Sequence, residues 1–166
     1  MSTSPWLPAR LDQATFPDET SLEAAAWAIF QHDFANFPQF RGQKVVVSSH
    51  PHPANPARSF TYWHCVTEGT PERTRTGIIP ERMACIPWTR PVIENEACKV
   101  SAIKVWSNQR DGNTHVCIWF DRVNYMVVLA ITPSGFLLKT TYSPESRRKQ
   151  QLHKEYARWK KSWARL

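Results

Sequence analysis

The stretch from Ala102 to Tyr142 constrains the fold of this chain most. Four β-prone runs, at 102–108, 114–120, 125–132 and 135–142, are separated only by Asp111-Gly112-Asn113, a turn from Asp121 to Asn124, and Pro133-Ser134-Gly135. Connections this short cannot carry the crossover that parallel strands need, so the runs pair as an antiparallel meander. Ser143-Pro144 then supplies an N-cap with proline at the first helical position and opens a last helix. Leu152, Tyr156, Trp159 and Trp163 recur there as a buried stripe. Around them stand Arg147, Arg148, Lys149, Lys154, Arg158, Lys160, Lys161 and Arg165.

The N-terminal half is less regular. Residues 1–17, rich in Pro, Ser and Thr, read as an irregular arm. Thr20 with Glu23 fits a capping box, and Leu22, Ala26, Ile29, Phe30 and Phe34 give the following helix a core face that Pro38 limits. Gln43 to Ser49, with three valines, reads as a strand. His50-Pro51-His52-Pro53-Ala54-Asn55-Pro56 reads as a solvated loop, because proline lacks an N–H and restricts its predecessor. Ser59 to Thr67 is β-prone, Glu68 to Pro80 is a polar loop, and Glu81 to Ile86 reads as either a short strand or a helical turn. Pro87 and Pro91 bracket a bend. The expectation is one α+β domain over 18–166, behind the arm. Its N-terminal helix and irregular segments pack on a four-stranded antiparallel sheet, with a basic C-terminal helix.

A net charge of +7 and a pI near 9.5 favour an anionic partner: nucleic acid, a membrane surface or an acidic protein. The four cysteines are too widely spaced for a zinc ribbon or a thioredoxin motif. Residues 1–17 show no secretory pattern, and no apolar run approaches the roughly 18–20 residues needed to span a bilayer. The expectation is cytoplasmic residence with reduced thiols and no membrane partner. No Gly-rich phosphate loop, Gly-x-Ser-x-Gly elbow or His-Glu-x-x-His helix is present, so NTPase, α/β-hydrolase and zincin chemistry find no support.

Alternation along the last strand sets Phe136, Leu138 and Thr140 against Leu137, Lys139 and Thr141. On the second strand of the meander, Val116, Ile118 and Phe120 alternate with His115, Cys117 and Trp119. One sheet face is then covered, and the other offers Lys139 and Thr141 beside His115 and Trp119. His64, within the aromatic run Phe60 to Cys65, is the histidine best placed to be held in position. RNA carries its own nucleophile, the 2′-OH, so a proton shuttle with cationic and hydroxyl groups suffices to cleave it without a metal. Catalytic candidates are His64 as acid/base, Lys139 and Arg82 as phosphate clamp, and Thr141 with Tyr142 as positioning hydroxyls. Nucleic-acid-binding candidates are Trp88, Arg90, Arg147, Arg148 and Lys149, since Arg clamps phosphate and Trp stacks on bases. Trp88 and Arg90 read equally as a core Trp in an ion-paired turn, and the basic helix equally as a solvated face. No acidic or Cys ligand near His50 and His52 completes a metal set. Cys65 and His64, as neighbours in a strand, face opposite sides.

These segments resemble the phage-encoded branch of the barnase–EndoU–colicin E5/D–RelE-like (BECR) ribonuclease superfamily. The resemblance is carried by Phe60-Thr61-Tyr62-Trp63-His64, by Pro80-Glu81-Arg82 running into Ile86 to Glu94, and by Lys104-Val105-Trp106. Tyr125 to Leu129, Leu137 to Tyr142 and Arg147 to Tyr156 complete it, over about residues 30 to 160. It implies a helical N-terminal part on a four-stranded sheet. It also implies a metal- and cofactor-independent endoribonuclease of the toxin type, from phage or toxin–antitoxin systems. RNA such as tRNA would be the substrate, and an antitoxin or immunity protein the partner. By position, His64 matches the family's first-half histidine, Thr141 and Tyr142 its late-strand hydroxyl, and Arg82 a basic position. The alternative expectation is a non-catalytic nucleic-acid-binding or protein-interaction module, such as a phage or toxin–antitoxin regulator.

Overall fold

The computed structural model describes residues 4–163; Arg165 of the basic helix lies outside them. Asp18 caps helix α1 (Glu19–Ala35), its carboxylate accepting the Ser21 amide at 2.7 Å. The cap therefore lies upstream of Thr20, and Glu23 is engaged elsewhere, in a bidentate pair with Arg58 at 2.6 and 2.7 Å. Leu22, Ala26, Phe30 and Phe34 are buried along α1, as the spacing predicts. β1 (Gln39–Phe40) and β2 (Gln43–Val46) form a hairpin through Arg41 and Gly42, both at positive φ.

Two segments differ from expectation. The proline-rich stretch forms a small ladder, β3 (Pro51–His52) with β4 (Asn55–Ser59), where each strand keeps a free edge that tolerates proline. The β-prone run that follows is a helix, α2 (Phe60–Val66), burying Thr61, Tyr62, Trp63, Cys65 and Val66. Packing overrides β propensity here, because the aromatic side chains are enclosed on nearly every side. Carbonyls of His50 and Ser48 also take the Phe60 and Thr61 amides, which a helix start leaves without partners. After α2 come β5 (Thr67–Glu68), β6 (Gly77–Ile78), α3 (Pro80–Ala84) and α4 (Thr89–Glu94). The short segment near Glu81 is thus helical, and Pro91 sits in the first turn of a helix.

The meander forms as β7 (Lys104–Arg110), β8 (Asn113–Phe120), β9 (Tyr125–Thr132) and β10 (Gly135–Tyr142), all antiparallel. The sheet has six strands rather than four, in the order β1-β2-β10-β9-β8-β7, because β2 adds in parallel to β10. Gly135 permits that junction: a Cβ there would lie 2.6 Å from the Lys44 carbonyl oxygen, and its φ of +147° suits glycine. The β9–β10 register slips between Leu138 and Thr140, leaving Lys139 as the extra residue of a bulge.

Both sheet faces are covered, in contrast to the open face expected. One packs Val116, Ile118, Phe120, Val127, Leu129 and Leu138 against α1, α2 and the segments that follow. The other packs Trp106, Cys117, Trp119, Met126 and Val128 against Leu152 of the last helix, α5 (Ser146–Trp163). Trp119 is fully buried there, with the His153 ring 4.6 Å away. α5 starts after the expected Ser143-Pro144 cap. Asn124 instead donates to the Pro144 carbonyl at 2.9 Å, so that proline belongs to the turn before the helix. Tyr156 and Trp159 pack at the edge of this cluster, whereas Trp163 is 60% exposed and leaves the stripe. The arm is drawn onto the first core: Trp6 stacks on Phe120, and Leu7 and Leu11 pack beside it. No helix among the described residues is long and apolar enough to cross a membrane.

Candidate functional site

Where β2 ends, the outer edge of β10 is free, and α2 lies along it. Between them is a cleft of about 360 Å³, lined by Ser48, Thr61, His64, Glu72 and Lys139 over a floor of Leu137 and Leu138. The helix turns His64 toward this cleft and Cys65 into the core, where burial pushes the thiol up to about 12. The bulge turns Lys139 outward beside His64.

His64 is held from behind. Its Nδ1 lies 2.9 Å from Glu72 Oε2 and 2.8 Å from Arg75 Nη1, while Nε2 makes no hydrogen bond to the described residues. Arg75 is anchored in turn: its Nη2 donates to the Thr67 carbonyl, and its own carbonyl accepts Trp63 Nε1 at 2.8 Å. Burial lowers the His64 pKa below its ordinary 6.5; the Glu72 carboxylate opposes this, and the Arg75 and Lys139 charges add to it. The shift favours the neutral form of the ring. For Glu72, burial acts upward, but hydrogen bonds from His64, Arg75 and His52 outweigh it and hold the carboxyl at about 2.

Of the other candidates, only Lys139 joins His64 in the cleft. Thr141 is 1% exposed, on the core face, with its hydroxyl beside Cys65 and Tyr125. Its expected sharing of a face with Lys139 fails because the bulge inserts one residue between the two faces. Tyr142 packs under α5, its hydroxyl accepting from Arg148 Nε at 3.4 Å. Arg82 stands behind Arg75 and donates to the same Thr67 carbonyl at 3.0 Å, outside the cleft lining. Arg90 donates to the Asp33 and Asn36 carbonyls at the end of α1 and pairs with Glu94 at 2.7 Å, so it closes a helix. Trp88 donates to the Pro8 carbonyl at 2.8 Å and meets Tyr125 edge-on, holding the arm. Arg147 is exposed in the first turn of α5, and Lys149 lies 4.0 Å from Asp121.

Glu72, Arg75 and His52 form the hydrogen-bonded surroundings of His64, which residue type and spacing do not mark. His52 belongs to the stretch that its prolines mark as a solvated loop, yet it is 0% exposed, with Nε2 3.1 Å from Glu72 Oε1. The only local signal is a charged run, Glu72 to Arg75, in an otherwise plain loop; no spacing rule links it to His64. His115 also gains weight. It stands opposite Ala130, which stands opposite Leu137 of the cleft floor. Burial lowers its pKa too, and the Lys139 charge adds to this, although His115 lies outside the cleft lining. Among the described residues, no group of three or more His, Cys, Asp or Glu side chains is arranged to hold a metal ion. Comparison with known proteins found no family model, no curated protein and no solved structure that matches the chain.

Proposed function

We propose that the protein is a metal-independent endoribonuclease, using His64 as the base that takes the 2′-OH proton. One observation carries this reading: an imidazole, held at Nδ1 by Glu72 and Arg75 and with Nε2 unbonded among the described residues, opens onto a cleft beside a lysine. Lys139 would meet the charge that develops on the phosphorane. A protonated group or water at the cleft would return a proton to the leaving 5′-oxygen, and the products would be a 2′,3′-cyclic phosphate and a 5′-hydroxyl. The remaining catalytic candidates take other roles. Arg82 acts by holding the wall around Arg75, and Thr141 and Tyr142 serve packing.

The reading keeps the resemblance of the sequence segments to the BECR superfamily, with RNA as substrate. On the same reading it is a toxin-like, cytoplasmic protein with a cognate antitoxin or immunity partner. Purified protein incubated with total RNA and tRNA in EDTA should release fragments ending in cyclic phosphate. His64→Ala should lower the rate by about 10²- to 10⁴-fold while RNA binding persists. RNA left intact by excess protein at every pH between about 5 and 8 would sink the proposal. Binding without cleavage would instead favour a nucleic-acid-binding module that uses the basic face of α5.

A further inference from the structure

We propose that His52 is a positioning residue for His64: acting through Glu72, it decides which nitrogen of the His64 ring carries the proton. The inference rests on the reading of His64 as the base, but its first test uses no RNA.

The Ala54 amide donates to His52 Nδ1 at 3.0 Å, and a ring nitrogen that accepts carries no hydrogen. The neutral ring is thereby protonated at Nε2, which donates to Glu72 Oε1 at 3.1 Å. Phe60 and Trp63, with ring centres 5.0 and 6.4 Å away, pack around the fully buried imidazole and keep it from turning. Glu72 is held at one oxygen, and its other oxygen stays on His64.

At His64 Nδ1 two arrangements compete. If Nδ1 carries the proton, it donates to Glu72 Oε2, 2.9 Å away, and Nε2 presents its lone pair to the cleft. If Nδ1 is bare, it accepts from Arg75 Nη1 at 2.8 Å, Nε2 carries the proton, and the ring cannot act as a base. The second arrangement sets a nitrogen lone pair against the Oε2 lone pairs, which a carboxylate free to turn about the bond that Arg75 Nη1 also makes to Oε2 would relieve. His52 removes that freedom. The chain Ala54–His52–Glu72–His64 thus runs from the β3–β4 ladder through a loop to α2 and ends as a base in the cleft.

Long-range ¹H–¹⁵N NMR of the wild-type protein at neutral pH should find the proton on Nε2 of His52 and on Nδ1 of His64. A wild-type His64 protonated at Nε2 overturns the proposal. His52→Leu removes the donor; it should shift His64 toward the Nε2–H form and lower kcat about tenfold or more with KM little changed. His52→Gln, whose amide N–H can replace Nε2–H, should restore both. A folded His52→Leu protein with the His64 tautomer unchanged also overturns the proposal. Should the leucine variant fail to fold, the wild-type and glutamine spectra decide. Wild-type protein that leaves RNA intact counts against the ribonuclease reading alone, because the spectra still judge His52.

Discussion

Glu72 touches two imidazoles and a guanidinium, and its ionisation ties the cleft to pH. Its carboxyl titrates at about 2 in the folded chain against an ordinary 4.5. Its contribution to stability is therefore complete above pH 4.5 and is lost as the pH falls toward 2. The sign at His64 is opposite in origin. A base must be neutral, and burial lowers the pKa, so kcat/KM should rise with pH through a value below 6.5. Glu72 holds that pKa up against burial. Glu72→Gln should therefore move the acidic limb of the pH–rate profile to still lower pH while reducing the maximum rate. An acidic limb that stays in place or moves upward would contradict the roles given to Glu72 and His64. Thr141 shows how fine the placement is: next but one to Lys139 in sequence, it is sealed in the core with Cys65 and Tyr125.

At the scale of elements, the cleft exists because three strand features coincide on β10. β2 pairs with it only at Phe136 and Leu137, the bulge ejects Lys139 just beyond, and α2 fills the remaining edge. Gly135 sets where β2 docks. Gly135→Ala would drive a Cβ to 2.6 Å from the Lys44 carbonyl oxygen at a backbone angle that L-residues avoid. We expect it to destabilise the protein by about 1–3 kcal/mol, read from the denaturant midpoint, and to weaken cleavage by loosening the cleft wall. An unchanged midpoint would show that the β2–β10 junction relaxes freely. On the other face, Trp106 Nε1 donates to Glu155 at 2.9 Å and Asp121 gathers Lys104, Lys149 and His153. α5 is thus docked through its buried side, and the aromatic stripe read from sequence is real only as far as Trp159.

For the whole molecule, the excess of +7 predicts polyanion binding that weakens steeply with salt. Lys154→Glu with Arg158→Glu on α5 should flatten the log–log salt dependence by about 0.7 for each phosphate that the helix no longer neutralises, leaving the His64 tautomer untouched. A slope unchanged by this pair would assign the α5 charges to solvation. Charge, the antiparallel meander, the long first helix and the basic last helix are all legible in the sequence, because each depends on local periodicity, turn residues or simple counting. The β-prone Phe60–Val66 segment misleads, since its helix depends on burial and on amides capped by His50 and Ser48. His64 and Lys139 are legible as residue types that can do chemistry. Glu72, Arg75 and His52 are not, because their meaning lies only in touching His64 across 8, 11 and, through Glu72, 20 residues of chain. By itself, then, the sequence determined the strand order of the meander, the two flanking helices and the sign of the surface. Only the tertiary structure decided which faces are open and which groups share a proton, because a single inserted residue in a strand reverses every side chain beyond it.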